Sequence, residues 1–175
     1  MRVQIRECVA PKDLDGLRRC VIELQDYERG LDASMPTGAS VADRLLERMH
    51  SECEKNAGRI FVADCAGQVV GYCCVWGSFH SGDVEEAPRR YALVTDLVVL
   101  PEHRHNGTGA ALIEAAECYA RACGVRFIRV SVLGSNEAAR GFYAARGFTA
   151  HEILLEKPLE SSAGGACASA RGARG

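Results

Sequence analysis

The feature that most constrains the fold of this chain is an apolar strand that leads through a glycine-containing turn into a helix. Residues 91–100 (YALVTDLVVL) are typical of a strand, and residues 107–123 have the apolar spacing of a helix. Gly107 and Gly109 lie where this helix begins. Backbone N–H groups at a helix start are unpaired and lie at the positive end of the helix dipole, and glycine allows a ligand to approach them closely. The turn is therefore suited to binding a pyrophosphate.

This turn differs from two other phosphate-binding loops. A dinucleotide-binding fingerprint requires a third glycine at the position of Leu112, and a P-loop requires a Gly-Lys-Ser/Thr sequence that the turn lacks. Two glycines are equally compatible with an ordinary β–α connection. The segment by itself therefore does not decide between a phosphate site and a structural turn.

The remaining periodicities predict an α/β fold in which helices cover a mixed, mostly antiparallel sheet. A strand over residues 3–8 precedes two amphipathic helices, the first of which we expect to end at Gly30. Two strands joined by a tight turn follow, over residues 59–65 and 69–76. After the helix at 107–123, the predicted elements are a strand over 125–133, a short helix over 136–146 and a last strand over 148–157.

Composition limits the classes of function. The chain has 175 residues, 47% hydrophobic and 25% charged, which is ordinary for a globular domain. We expect one domain over residues 1–159 and a disordered Gly/Ala/Ser-rich tail over 160–175. A net charge of −2 provides no broad basic surface for nucleic acid or for an anionic membrane. Because there is no run of ~20 apolar residues and no signal-peptide core, we predict a cytoplasmic protein without a membrane span.

The cysteines and histidines predict no metal site. The nine cysteines are an odd number without a C-x-x-C pair, and the five histidines lack ligand spacing. This usage favours a reducing compartment. Cys73 and Cys74 lie in an apolar strand, and we interpret them as core thiols rather than as nucleophiles that form an acyl-enzyme.

Two motifs carry a resemblance to a known family. RHNGTGAAL resembles the R/Q-x-x-G-x-G/A loop of the GNAT superfamily of N-acetyltransferases. SNEAARGFYAARGF, with Asn136, Tyr143 and Gly147, resembles the N-x-x-A-x-x-x-Y-x-x-x-G-F segment that follows in the same superfamily. The resemblance covers residues 1–157, with its specific part at 91–148. It implies an enzyme that transfers an acetyl group from acetyl-CoA to an amine.

The resemblance also implies roles for residues that bind acetyl-CoA. Backbone groups of Leu97, Val98 and Val99 would contact the pantetheine arm. Asn136 would contact the cofactor arm from the other side, and Tyr143 would lie near the sulfur. The pyrophosphate would be bound by the loop residues Arg104, His105, Asn106, Gly107, Thr108, Gly109 and Ala110.

The chemistry of acyl transfer assigns the catalytic candidates. A backbone N–H of Leu97 or Val98 could bind the oxyanion, and Tyr143 could protonate the leaving thiolate, unless it is a core aromatic. Asp96 is either the general base or a structural carboxylate in its apolar strand. One family branch, which acetylates ribosomal protein N-termini, has a glutamate where this chain has Ser131, so the base cannot be assigned from that branch. Glu85 and Glu86, acting through water, are alternatives.

Acidic residues predict a cationic acceptor, although solvated surface explains them too. They occur in the loop before residue 91 and along the first two helices and their connection. A catalytically silent acyl-CoA-binding regulatory module is the alternative function, and the net charge argues against a toxin that acetylates charged tRNA. The sequence leaves homodimer formation open. The acidic residues are Glu23, Asp26, Glu28, Asp32, Asp83, Glu85 and Glu86.

Overall fold

The structure is a computed structural model that describes residues 2–80 and 90–158. Its helices and strands follow one another in the predicted order, up to and including the last helix. The elements are β1 (Val3–Glu7), α1 (Leu14–Leu31), α2 (Gly38–Lys55), β2 (Gly58–Cys65), β3 (Gln68–Phe79), β4 (Tyr91–Val99), α3 (Thr108–Ala122), β5 (Ile128–Val130) and α4 (Glu137–Ala144).

The strands form one sheet in the order β1-β2-β3-β4-β5. The first three pairings are antiparallel, and β4 pairs with β5 in parallel. The tight turn between β2 and β3 contains Gly67, whose φ of +85° favours glycine. Helix α3 makes the crossover that a parallel pair requires between β4 and β5. The predicted mixed, mostly antiparallel sheet is confirmed.

Apolar side chains alternate between the two faces of the sheet. Cys73 and Val75 of β3 pack on one face with α3 and α4, which contribute Leu112 among others. Tyr72 and Cys74 pack on the opposite face with buried residues of α1 and α2. Because successive side chains of a strand point to opposite faces, β3 contributes to two separate cores, one beneath each pair of helices.

Strands β4 and β5 are paired over only a short stretch and then separate. The pairing joins Ala92 to Ile128 and ends where Val94 meets Val130. On its other side, β4 stays paired with β3 as far as the register pair of Val99 with Gly71. A Cβ atom at Gly71 would lie 2.7 Å from the carbonyl oxygen of Val98, so glycine is required for this close approach. The separation leaves a gap beside the second half of β4.

The prediction of a last strand over residues 148–157 is wrong. Residues 148–157 form no strand, and the side chains of Ile153, Leu154 and Leu155 are 74%, 94% and 87% exposed. A strand forms only where a neighbour completes its hydrogen bonds, and β5 offers an edge of three residues instead of the nine predicted over 125–133. Helix α1 also continues one residue beyond Gly30.

Two expectations concern parts of the chain that lie outside the described residues, namely the acidic loop at 83–86 and the tail from residue 160. Within the described ranges, no helix combines the length and apolar character needed to cross a membrane.

Candidate active site

A cavity of about 650 Å³ opens where β4 and β5 separate. Helix α1 bounds it on one side, and the turn before α3 and the residues of α4 bound it on the other. Asp96, Asn136 and Tyr143 line this cavity, and the other described residues proposed for the site lie along it or next to it, whereas Glu85 and Glu86 lie outside the described residues. The site is therefore lined by helices from both faces of the sheet.

The turn before α3 contains two residues in the left-handed region of backbone conformation. His105 and Gly107 have φ values of +62° and +86°, both in the left-handed region. The hydroxyl of Thr108 donates to Asn106 Oδ1 at 2.6 Å, which stabilises the turn. The N–H of Ala111 donates to the carbonyl of Gly107 at 3.0 Å and that of Thr108 to Asn106 Oδ1 at 3.4 Å, so the N–H groups of Gly109 and Ala110 form the open start of the helix.

Gly109 allows α4 to pack closely against this turn. A Cβ atom at Gly109 would lie 3.3 Å from the ring of Phe142, a contact tighter than side chains normally make. Both residues line the cavity. Glycine at this position therefore serves the packing between the two helices as well as access to the helix start.

Arg104 has structural partners. Its Nε donates to the carbonyl of Val99 at 2.8 Å, and its guanidinium forms a salt bridge of 2.9 Å with Glu23. The same group lies over the ring of Tyr27, 5.6 Å from its centre. Arg104 thus connects the turn to β4 and α1, and Glu23 neutralises part of the charge that the sequence interpretation assigned to a phosphate.

Asn136 is the N-terminal cap of α4. Its Oδ1 accepts a hydrogen bond from the N–H of Ala139 at 3.0 Å, and the hydroxyl of Tyr27 donates to the same oxygen at 3.4 Å. The side chain is buried at the wall of the cavity. Tyr27 was missed by the sequence interpretation, because nothing in the spacing of α1 distinguishes it from other helix positions.

A β-bulge directs Asp96 into the site. Val75 is opposite Val94 and Cys74 is opposite Asp96, so Thr95 is an extra residue in β4. Without the bulge, the period of two would place Asp96 on the same face as Val94, which packs with α3. Its carboxylate instead accepts a hydrogen bond from the hydroxyl of Tyr72, whose ring packs with α1 and α2.

The same bulge decides which N–H groups of β4 face the gap. Before the bulge, Ala92 donates to the carbonyl of Phe127 on the β5 side. After it, Leu100 donates to the carbonyl of Val70 in β3. Since alternate N–H groups of a strand point to opposite neighbours, the N–H of Leu97 faces the gap and that of Val98 faces β3. Leu97 is thus the better oxyanion donor of the two that the sequence proposed.

The carboxylate of Asp96 has hydrogen-bond donors and forms no salt bridge with the described residues, although the charge of Arg48 acts to lower its pKa. Tyr72 donates to one oxygen at 3.3 Å and Thr95 to the other at 2.6 Å. No arginine or lysine of the described residues forms a salt bridge with it. Burial raises the pKa of Asp96 above its ordinary value, and the two hydrogen bonds oppose this shift only in part.

Glu28 is a second carboxylate in the cavity. Burial and the neighbouring charge of Asp96 raise the pKa of Glu28. Among the other acidic residues of this region, Glu23 is paired with Arg104, Asp26 accepts from the N–H of Gly38 at 2.6 Å, and Asp32 accepts from Ser34. Of the helix carboxylates proposed to attract the acceptor, only Glu28 lines the cavity.

Tyr143 lies across the gap from these carboxylates, on α4. Its ring packs edge-on against Phe142 and Phe148, with ring centres 5.1 Å and 5.3 Å away. Burial raises the pKa of Tyr143, and the neighbouring Cys73 and Asp96 add to this shift. The phenol is therefore protonated near neutral pH, held in place by the core and exposed to the cavity through a small part of its surface.

Comparison with known proteins identifies the family. A sequence profile of the acetyltransferase (GNAT) family matches residues 24–148. The chain belongs to the GNAT family. The match includes both motifs and α1 from Leu24 onwards, so it covers the elements that enclose the cavity.

Known proteins resemble the chain over part of the sequence or in fold. It is 26% identical over 100 residues to the uncharacterized N-acetyltransferase YhfO of Bacillus subtilis (strain 168), a match covering 57% of this chain and 64% of that relative. A tetramutant of the BH1408 protein of Bacillus halodurans has the same fold, with a TM-score of 0.73 and 23% identity over 89% of this chain and 99% of that one. AAC(6′)-Iy, solved with the bisubstrate analog CoA-S-monomethyl-acetylneamine, has a TM-score of 0.64 and 19% identity over 91% and 99%.

The cavity has two chemically different sides. The side bounded by α3 and α4 has an open helix start and a protonated phenol. The side bounded by α1 has two desolvated carboxylates. The first side is suited to an anionic thioester substrate, and the second to a group that must lose a proton.

Proposed function

We propose that the protein is an N-acetyltransferase that transfers the acetyl group of acetyl-CoA to a primary amine, which attacks the thioester directly. One observation carries this proposal. A single cavity is bounded by the open start of α3, the free side of β4, the phenol of Tyr143 and the carboxylate of Asp96. Each of these supplies a group that acyl transfer to an amine requires.

The cavity fits acetyl-CoA in the order of its chemical parts. The pyrophosphate would be bound by N–H groups of residues 107–110, with His105 beside them. The pantetheine arm would lie along residues 97–99, and Asn136 would contact it from α4. The continuity of the cavity from the start of α3 to Tyr143 supports this assignment. Because Arg104 is bound to Glu23, its role would be to hold the loop in place.

The two faces of the site would exchange protons with the two reactants. An alkylamine has a pKa of about 10.4 and arrives protonated, so Asp96 would accept its proton before attack. The N–H of Leu97 would bind the oxyanion as it forms. Tyr143 would then donate its proton to the departing sulfur. The raised pKa of each group favours its role, because a desolvated carboxylate is a stronger base and the phenol stays protonated.

The acceptor is best explained as a cationic amine. Glu28 lies in the wall of the cavity on the side of Asp96, and two carboxylates that form no salt bridge among the described residues attract an ammonium group. Small polyamines, aminoglycoside-like amines and basic peptides share this chemistry. AAC(6′)-Iy, whose bisubstrate analog contains acetylneamine, has the same fold.

A panel of amines with acetyl-CoA tests the function. We expect thiol release and N-acetylated product with cationic amines, measured by chromatography of CoA and mass spectrometry of the acceptor. Turnover that is higher with neutral or anionic amines would contradict the cationic acceptor alone. Binding of CoA by calorimetry, without turnover of any amine, would instead favour the catalytically silent module.

A charge introduced at the helix start tests the cofactor site. Ala110 lines the cavity in the first turn of α3, so Ala110→Glu places a negative charge where the pyrophosphate is expected. We expect the affinity for CoA to fall by at least about tenfold, because two like charges repel in a partly desolvated site. Ala122→Glu, at the exposed far end of the same helix, is the control and should bind CoA normally. Unchanged affinity in a folded Ala110→Glu variant would show that the site is misplaced.

Removal of one hydroxyl tests the general acid. Tyr143→Phe keeps the ring between Phe142 and Phe148, so the fold should be retained. We expect kcat to fall by about 10²–10⁴, the usual contribution of a general acid, with little change in KM for acetyl-CoA. Wild-type kcat in this variant, under conditions where chemistry limits the rate, would show that Tyr143 has only a structural role.

A further inference from the structure

Two cysteine thiols lie in contact beneath the proposed acceptor side of the cavity. Cys53 is near the end of α2 and Cys74 is in β3, and their sulfur atoms are 3.6 Å apart. The residues are far apart in sequence, so only the packing of α2 on the sheet brings them together. The sequence interpretation treated Cys74 as a core thiol and gave Cys53 no role.

The fold holds this pair in place. A Cβ atom at Gly58 would lie 2.6 Å from the sulfur of Cys53, so glycine is needed there for the helix to pack this closely. Cys74 is completely buried, whereas Cys53 is partly exposed. A small oxidant can therefore reach Cys53, and the second thiol is already in contact with it.

The two thiols differ in acidity. Either thiol can donate across this contact, and a hydrogen bond from Cys74 would stabilise a Cys53 thiolate, so the contact lowers the pKa of Cys53 and raises that of Cys74. Since the thiolate is the nucleophile in thiol chemistry, Cys53 is the thiol that reacts first. Cys74 is then positioned to resolve the product.

We propose that Cys53 and Cys74 form a reversible disulfide when the protein meets a peroxide, and that this disulfide slows acetyl transfer. The Cys53 thiolate attacks one oxygen of hydrogen peroxide, the O–O bond breaks, and a sulfenic acid and hydroxide are formed. The sulfur of Cys74 then attacks the sulfenic sulfur, the S–O bond breaks, and its proton leaves with the hydroxyl group as water. The two thiols lose two electrons in total, and the peroxide is reduced to two molecules of water.

The disulfide would act on the site through β3. Cys74 is opposite Asp96 in the strand register, next to the bulge that aims this carboxylate. The sulfur atoms must approach from 3.6 Å to the ~2.05 Å of a disulfide, so β3 or α2 has to move at this point. The hydrogen bond from Tyr72, which precedes Cys73 and Cys74 in β3, would be strained by the same movement.

The experiment treats the full-length protein with hydrogen peroxide and then with dithiothreitol. Digestion under non-reducing conditions should yield a peptide that joins Cys53 to Cys74, with the loss of two hydrogen atoms. The kcat/KM of the oxidised protein should fall severalfold and recover after reduction. This part of the test rests on the proposed acetyl transfer, whereas the mapped disulfide does not, so failure of either is seen separately.

Variants distinguish this pair from other thiols. Cys53→Ser should keep its activity in peroxide and form no such peptide, and Cys53→Ala provides the same test if the serine variant folds poorly. Cys118→Ser removes an exposed cysteine elsewhere and should be inactivated like the wild type. The proposal is overturned if a different pair is cross-linked, if the joined peptide forms without loss of activity, or if Cys53→Ser is inactivated to the same extent.

Discussion

Helix α1 has a carboxylate at each end, and the two ends differ in how their charge is compensated. At its start, Asp13 and the neighbouring Asp64 share Arg6, with salt bridges of 2.6 Å and 2.7 Å. In its last turn, Glu28 lies beside Asp96, and neither forms a salt bridge among the residues described. Both pairs connect the helix to the sheet.

The two pairs consequently ionise in opposite directions. Hydrogen bonds from Arg6 lower the pKa of Asp13 to about 2 and also lower that of Asp64. Burial raises the pKa of Asp96 and of Glu28. The same residue type thus has a lowered pKa where Arg6 binds it and a raised pKa where burial is the largest influence.

The largest effect is expected from removing the proton acceptor at the cavity end. Asp96→Asn can still accept a hydrogen bond from Tyr72, so the fold should be retained. We expect kcat to fall by about 10²–10⁴ and the rise of the rate with pH to disappear. The measurement is the pH profile of kcat/KM for wild type and variant.

The stability of the Asp96→Asn variant gives a separate check. A carboxyl group whose folded-state pKa is raised stabilises the fold while it is protonated, and this contribution is lost as pH rises through that pKa. The variant should therefore show less dependence of its free energy of unfolding on pH above about 4, the ordinary pKa of an aspartate. A destabilised variant with an unaltered pH profile of activity would exclude Asp96 as the base.

A substitution beside the start of α1 should lower the stability of the protein and leave its acetyltransferase activity unchanged. Arg6→Gln leaves Asp13 and Asp64 without their cation, and we expect the free energy of unfolding to fall by roughly 2 kcal/mol, as the lowered pKa of Asp13 implies. That stabilisation is present above the unfolded pKa of about 3.9 and is lost as pH falls towards 2. The variant should thus lose less stability than the wild type on acidification, measured by denaturant unfolding at several pH values.

An exposed ion pair provides the control for Arg6→Gln. Arg18 and Asp43 also join by a salt bridge of 2.7 Å, but their side chains are 41% and 73% exposed. Arg18→Gln should lower the free energy of unfolding far less than Arg6→Gln does, because water and salt screen such pairs. Equal losses in the two variants would contradict the distinction between a partly buried and an exposed cation.

The smallest effect is expected from Glu28. Glu28→Gln removes one of the two charges facing the acceptor, and we expect kcat/KM for cationic amines to fall about tenfold, most of it in KM. The dependence of kcat/KM on salt should become flatter, since exposed attraction is screened beyond ~8 Å at 0.15 M. Asp32→Asn, just beyond the end of the same helix and bonded to Ser34, is the control and should leave both quantities unchanged. An equal loss for neutral amines would contradict an electrostatic role.

The family and the fold were predictable from local patterns. The two motifs surround Gly107 and Tyr143, each on the helix that the apolar spacing predicted, and the family match confirms them. Two of the antiparallel pairings, β2 with β3 and β3 with β4, join strands that follow one another along the chain, whereas helices separate β1 from β2 and β4 from β5. The motifs and these two pairings depend on neighbours along the chain, which a sequence displays directly.

The remaining features depend on contacts that no local pattern encodes. The bulge at Thr95 reverses the direction of Asp96, and an uninterrupted apolar run gives no sign of it. Glu23 forms a salt bridge with Arg104, and Glu28 lies close to Asp96, only because α1 packs across β4. The last strand was wrong for a related reason, because residues 148–157 have a strand-like composition and no adequate neighbouring strand in the described structure.

If the gap between β4 and β5 binds acetyl-CoA as proposed, the abundance of the protein would depend on its supply of substrate. If the pantetheine arm lies along residues 97–99 as proposed, its amide groups take the place of a neighbouring strand beside β4. A molecule that binds only the folded state adds about 2.7 kcal/mol to the free energy of unfolding at a hundredfold excess over its Kd. A cell short of acetyl-CoA would then lose the enzyme itself to unfolding and proteolysis, at the same time as it loses the acetyl donor.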